Sequence, residues 1–184
     1  MHHGVDLKGR EESVTFLLDN QFIPAHLEDS YRDLARQVLD MAQKRFDDTP
    51  FAPLRLHGDC HPGNILWRDD TAHFVDFDDA RMGPSVQDFW MLLANERHEQ
   101  ASQLSELIAG YEEFAEFDRR ELKLIEPLRS LRLFHYSTWL ARRWEDPALP
   151  HFFPWFNTEH YWQQQLLQLR DQVIAMDAEP IRLY

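Results

Sequence analysis

Apolar residues recur every three or four positions along most of this chain, and in two places they run together instead. Residues 11–22 read as a helix. So do residues 30–46, where Tyr31, Leu34, Ala35, Val38, Ala42 and Phe46 share one face with charges between them. Asp29 or Ser30 is placed to cap that second helix. Pro50 and Pro53 then break the pattern. Ile65-Leu66-Trp67 and His73-Phe74-Val75 are short apolar runs separated by a polar turn from Arg68 to Ala72, which predicts a small β-hairpin holding Asn64 and Asp76 side by side. After Gly83-Pro84 the helical period returns. One helix starts over Asp88 to Ala94, Leu104, Leu107, Ile108, Tyr111 and Phe114 mark another, and a long one covers 121–144 with Pro127 early in it. Leu128, Leu131 and Trp139 form the apolar side of that long helix. Pro147, Pro150 and Pro154 punctuate an aromatic loop from His151 to Phe156. Trp162, Leu166, Leu169, Val173 and Met176 mark a last helix. The expected class is α+β, predominantly helical. Residues 1–184 are expected to form one domain, with the chemistry in 54–88 and a helical remainder in 1–53 and 89–184.

Composition narrows the function classes. The 184 residues are 43% hydrophobic and include six Trp and 13 Phe, enough for a real core. A net charge of −13 argues against general nucleic-acid binding, which needs basic surface. A lone cysteine, Cys60, rules out an intramolecular disulfide framework and suits a reducing cytoplasm. No apolar run approaches the length of a membrane span, and Met1-His2-His3-Gly4 lacks a signal-peptide pattern. A cytoplasmic monomer is expected, with no nucleic-acid or membrane partner.

The candidate chemistry lies in His57-Gly58-Asp59-Cys60-His61-Pro62-Gly63-Asn64 and in Phe74-Val75-Asp76-Phe77-Asp78-Asp79. Phosphoryl transfer from a nucleotide needs a group that orients the attacking hydroxyl and oxygen ligands for magnesium. Asp59 suits the first task. Asn64 offers a neutral oxygen and Asp76 an anionic one for the second. Gly58 and Gly63 let the backbone come close to ligand and hairpin. The bland alternative is a solvated acidic loop. His57 reads first as a packed structural histidine and second as a ligand. His61 faces either the substrate or nothing. Cys60 has no basic neighbour to activate it and reads as a buried thiol. Asp78 and Asp79 either help bind a second metal or a substrate amine, or are simply solvated. Asp88 reads as a helix cap. The aromatic residues from His151 to Trp162 read as core, with a substrate groove as the alternative, and Arg129, Arg132, Arg142 and Arg143 as a solvated or salt-bridged face. A two-metal phosphoesterase is the chemical rival. It requires an upstream Asp-x-His and a histidine after the Asn, whereas Ile65 follows Asn64 and no Asp-x-His precedes the motif.

Taken together, His57-Gly58-Asp59 through Asn64 and Val75-Asp76-Phe77 resemble the motif pair of the aminoglycoside-phosphotransferase and choline-kinase-like group, relatives of protein kinases. Leu56 to Asp69, Asp78-Asp79-Ala80-Arg81, Gln87-Asp88, Trp90 to Leu93, Ile125 to Arg129 and Arg142-Arg143-Trp144 resemble more closely the bacterial Ser/Thr protein kinases of that group that serve stress responses. The resemblance implies the C-terminal lobe of a protein-kinase-like fold with a small catalytic β-hairpin. It implies Asp59 as the catalytic aspartate, and Asn64 and Asp76 as ligands of Mg2+, with ATP as co-substrate. Asp76 stands where the aspartate of the Asp-Phe-Gly motif stands, Asp78 replaces that motif's glycine, and the short stretch from Ala80 to Asp88 leaves little room for an activation loop. Asp88 becomes, by the same resemblance, a brace for the catalytic loop. Nothing in the chain matches the group's N-terminal β-lobe with its strand lysine and phosphate loop. Met1-His2-His3-Gly4 resembles the end of the segment that follows that lobe. The expectation is therefore a C-terminal lobe alone, weakly active or inactive, from an enzyme that phosphorylates a protein Ser/Thr or a small hydroxyl substrate. A catalytically inactive binding module is the reading from another class.

Overall fold

Two helices open the chain because their apolar positions fall on one stripe: α1 (Leu7–Asp19) and α2 (Glu28–Asp47). This computed structural model describes residues 7–94 and 97–183. The features read at Met1 to Gly4 lie outside the described residues. The described chain forms two compact units. One takes in residues 7–47 and 126–178, the other residues 48–94, 97–125 and 179–183. Among the described residues no helix is long and apolar enough to cross a membrane.

In the first unit, α1 stops at Asp19 rather than running to Phe22. Gln21 takes a left-handed φ of 56°, the Phe22 N–H donates to the Leu17 carbonyl, and the Gln21 N–H donates to that of Leu18. That is the crossed hydrogen-bond pattern of a Schellman stop, here without the usual glycine signal. A 3-10 turn, Ala25–Leu27, feeds α2, so Asp29 and Ser30 sit inside its first turn and neither caps it. Glu28 and Asp29 there favour the positive end of the helix dipole. Tyr31, Ala35, Val38, Leu39, Ala42 and Phe46 are buried, and α2 packs on α1 and on α6 (Glu159–Asp177).

The long helix expected over 121–144 is divided. Arg119–Leu124 is a 3-10 helix, and α4 runs from Ile125 to Arg142. The division puts Pro127 in the first turn of α4, where its missing N–H costs nothing. Within the expected aromatic loop, Ala148–Phe152 forms a short helix, α5, with Pro150 likewise in its first turn. Thr158 caps α6 by accepting from the Tyr161 N–H at 3.2 Å. Phe156 is buried and meets Phe22, Trp144, Trp155, Tyr161 and Trp162 at ring-centroid distances of 4.9–6.4 Å. Core packing is thus the use of Phe156 and Trp162, whereas Phe152 and Trp155 stay exposed. Each large side chain buried there contributes roughly 1.5–3 kcal/mol. On α4, Ser130 donates to Gln172 (2.9 Å), and Ser137 exchanges a 2.7 Å hydrogen bond with Tyr161. Arg129 pairs with Glu126 at 3.3 Å, Arg142 lies over Phe16 and Arg143 over Trp139.

The second unit carries two antiparallel two-stranded ladders. The expected hairpin is β2 (Ile65–Arg68) with β3 (Thr71–Phe74), closed by Asp69-Asp70 alone. The other ladder pairs β1 (Leu54–Leu56) with β4 (Arg81–Gly83). Three-residue strands leave no readable period, so the sequence pattern missed it. Asp88 to Ala94 is not an α-helix. Ser85–Asp88 and Trp90–Leu92 are separate 3-10 turns, because the side chains of Gln87 and Asp88 are engaged by the loop after β1. Helix α3 (Arg97–Glu112) buries Leu104 and Ile108, whereas Phe114 lies past its end and is 90% exposed.

Candidate functional site

Strand β1 delivers a buried Leu56 opposite Arg81, and the loop from His57 to Asn64 begins immediately after it. One carboxylate organises its start. The His57 N–H donates to Asp88 Oδ2 at 2.8 Å and the Gly58 N–H to Asp88 Oδ1 at 2.9 Å. Asp88 therefore caps no helix; it spans two loop amides. Gly58 has a φ of +87°, and a Cβ there would stand 2.2 Å from the Asp79 carbonyl oxygen, so only glycine fits. His57 is buried in the structural role first read for it. Its Nε2 is 2.8 Å from the Val75 carbonyl and must donate, while its Nδ1 accepts from the Asp59 N–H at 3.4 Å. This fixes the Nε2–H tautomer. The ring also packs on Phe77, with centroids 4.7 Å apart.

Three predicted site residues are tied to this frame. Asn64 ends a 3-10 turn, Pro62–Asn64, whose start is capped by His61 Nδ1 accepting from the Gly63 N–H at 3.0 Å. The buried Asn64 side chain donates through Nδ2 to the Asp59 carbonyl at 3.1 Å. That bond settles which end of the amide is nitrogen and turns Oδ1 the other way. The Val75 N–H donates to the Asn64 carbonyl at 3.0 Å, one step beyond the Ile65–Phe74 pair. Asn64 and Asp76 thus stand at the same end of the hairpin. Asp76 takes a φ of +62°, a backbone conformation that costs an L-residue on the order of 1–2 kcal/mol and breaks the strand alternation. Its side chain is exposed, while that of Asp59 is 19% exposed.

The remaining candidates sort by contact. His61 Nε2 is 3.6 Å from Asp59 Oδ2, at the edge of the loop. Asp78 and Asp79 are exposed in a turn closed by the Ala80 N–H on the Phe77 carbonyl. Burial pushes the Cys60 thiol up to about 11, helped by the charges of Asp88 and Asp59, so it stays protonated and unreactive near neutral pH. Among the described residues no group of three or more His, Cys, Asp or Glu side chains is placed to hold a metal. A metal here would have one amide oxygen and one carboxylate from the protein, a set that suits magnesium, which keeps water and phosphate ligands.

Three supporting residues were given no role by the sequence reading. Glu121 is buried, and its Oε2 accepts from the Ser85 hydroxyl at 2.6 Å and the Val86 N–H at 3.1 Å. Burial pushes its carboxyl above the ordinary glutamate value, against the pull of those two hydrogen bonds. Arg81 Nη2 and Gln87 Nε2 both donate to the Gly58 carbonyl, at 2.7 and 3.0 Å. The nearness of Gln87 to Asp88 was a usable hint. Arg81 stood in the Asp78-Asp79-Ala80-Arg81 resemblance, but its contact and that of Glu121 were unreadable because their partners are remote in sequence.

A profile described as "Phosphotransferase enzyme family" matches residues 7–125, more than half of the chain. The chain belongs to this family. It is 55% identical over 135 residues to the "Serine/threonine protein kinase RdoA" of Salmonella typhimurium, covering 73% of this chain and 41% of that protein. It is 47% identical over 165 residues to the "Stress response kinase A" of Escherichia coli K12, covering 90% of this chain and 50% of that one. The chain therefore spans about half the length of the curated relatives it matches. The crystal structure of a spectinomycin phosphotransferase in complex with AMP matches 94% of this chain and 57% of its own, at a TM-score of 0.55 and 14% identity. That likeness is one of fold. The mostly helical α+β class with small antiparallel ladders is that of a kinase-like phosphotransferase lobe, and family membership displaces the phosphoesterase reading.

Proposed function

We propose that this chain carries the catalytic loop and metal hairpin of an ATP-dependent kinase whose acceptor is a protein serine or threonine. The observation that carries the reading is the grip on the loop. Asp88 holds the amides of His57 and Gly58, Asn64 holds the carbonyl of Asp59, and Val75, the residue before Asp76, is tied to Asn64 and His57, so one hydrogen-bonded frame carries all three residues. Asp59 accepts the hydrogen bond of the acceptor hydroxyl, aims its oxygen at the γ-phosphorus and takes the proton as the new P–O bond forms and ADP leaves. Asn64 Oδ1 and the Asp76 carboxylate would hold the magnesium ion. When bound, the ion offsets the negative charge of the nucleotide phosphates. The names of the Salmonella and Escherichia relatives support the Ser/Thr acceptor and a place in stress response. On this reading residues 1–184 supply a catalytic lobe of a cytoplasmic monomer.

The test is phosphate transfer from labelled ATP by the whole gene product, to protein acceptors and to small amino-alcohol or sugar acceptors in parallel. Asp59→Ala should lower turnover by roughly 10³-fold or more while melting as the parent does. Turnover near the parental level removes Asp59 from the chemistry. Label on small acceptors only would replace the protein-kinase reading with that of a small-molecule kinase. Magnesium-dependent ATP binding with no transfer to any acceptor would leave a binding module.

A further inference from the structure

Gly58 sits directly before the proposed catalytic carboxylate, and glycine is the residue whose flanking peptide planes turn over most cheaply. A flip of the Gly58–Asp59 peptide would exchange the directions of its C=O and N–H, and any rotation about the Gly58 Cα–C bond that φ of Asp59 does not compensate would carry the Asp59 side chain with it. The structure blocks that flip from both sides. The Gly58 carbonyl accepts from Arg81 Nη2 at 2.7 Å and from Gln87 Nε2 at 3.0 Å. The N–H of the same peptide, on Asp59, points to His57 Nδ1 at 3.4 Å. One step further, the Asp59 carbonyl is taken by Asn64 Nδ2 and by the His61 N–H at 3.0 Å. Arg81 is itself held in register: β4 pairs it with Leu56, two residues before Gly58. Gln87 lies in the 3-10 turn whose first residues are tied down by the buried Glu121.

We propose that Arg81 and Gln87 are positioning residues: together they clamp the Gly58–Asp59 peptide plane and so fix the direction of the Asp59 carboxylate. The proposal rests on the phosphotransfer reading above. It also gives the stretch from Ala80 to Asp88 a task. Where an activation segment would have to be ordered by phosphorylation, this stretch already holds the loop by two side-chain donors and one carboxylate. A positive charge facing a carbonyl makes the Arg81 bond the stronger of the two donors.

The experiment is steady-state kinetics of the whole gene product with Arg81→Met, Arg81→Lys, Gln87→Met and Asp59→Asn, each with a melting curve. Arg81→Met should lower kcat by roughly 10–100-fold with KM for ATP nearly unchanged, because misdirection of the carboxylate is felt in the transition state. Arg81→Lys, which keeps one donor, should recover most of that loss. Gln87→Met should lower kcat by a smaller factor in the same way, and it tests the clamp independently if Arg81→Met folds poorly. In an Asp59→Asn background Arg81→Met should cost nothing further, since it acts through Asp59. A rise in KM for ATP with kcat intact would make Arg81 a nucleotide contact and overturn the proposal. So would parental kcat in both Arg81→Met and Gln87→Met when Asp59→Asn is dead. If Asp59→Asn itself turns over normally, the phosphotransfer reading has failed and the clamp falls with it.

Discussion

At the scale of single residues, Glu121 makes a measurable statement about pH. Its carboxyl is buried, and burial raises its pKa above the ordinary 4.5. The folded state then holds the proton more tightly than the unfolded chain does. The stability this contributes is fully present below pH 4.5 and is lost as pH rises through the raised folded value. Glu121→Gln keeps an oxygen for the Ser85 hydroxyl and the Val86 N–H but cannot ionise. Its melting temperature should match the parent near pH 4.5 and exceed it increasingly toward pH 8, in melts across that range. A difference constant over the range would show that the folded and unfolded states share one pKa, so that burial does not shift Glu121. Asp59, Asn64 and Asp76 were legible as candidates because their residue types and order are distinctive in sequence. The contacts of Arg81, Gln87 and Glu121 were not, because each depends on a carbonyl or amide brought close only by folding.

At the scale of elements, the hairpin was readable and its turn was not. Asp69 and Asp70 both adopt positive φ, 51° and 56°, the signature of a tight I′-type turn that suits the twist of the two strands. Asn-Gly takes that shape with far less strain. Replacing Asp69 by Asn and Asp70 by Gly together should stabilise the hairpin by about 1 kcal/mol, read as a higher melting temperature or slower amide exchange in β2 and β3. No gain in either measurement would mean the aspartates bear the conformation without strain. Helix ends behaved the same way. The stop of α1 at Asp19 was unreadable because Gln21, rather than glycine, supplies the left-handed residue. The division before α4 follows from Pro127, which sequence did place early in a helix but not in the first turn.

At the scale of the whole chain, charge is the dominant sequence-level term. With 32 acidic and 19 basic side chains, the net charge of −13 sets up self-repulsion in the folded state. Several surface ion pairs lie between exposed groups and offset little of it, Arg36–Asp33 and Arg68–Asp69 among them. Raising salt from about 10 mM to about 150 mM shortens the Debye length from roughly 30 to 8 Å and should raise the melting temperature by a few degrees. A flat or falling dependence would show that local attractive pairs outweigh the net repulsion.

The sequence by itself determined the class, the hairpin and the family, and it marked the loop from His57 to Asn64 as the candidate site. Each of these rests on local period or on residue order, which survives without coordinates. Only tertiary structure decided the β1–β4 ladder, the two oxygens of Asp88 on His57 and Gly58, and the donors gathered on the Gly58 carbonyl. Those depend on hydrogen bonds between positions far apart in the chain. Such partners are chosen by where buried backbone groups must be satisfied, and no linear pattern records that choice.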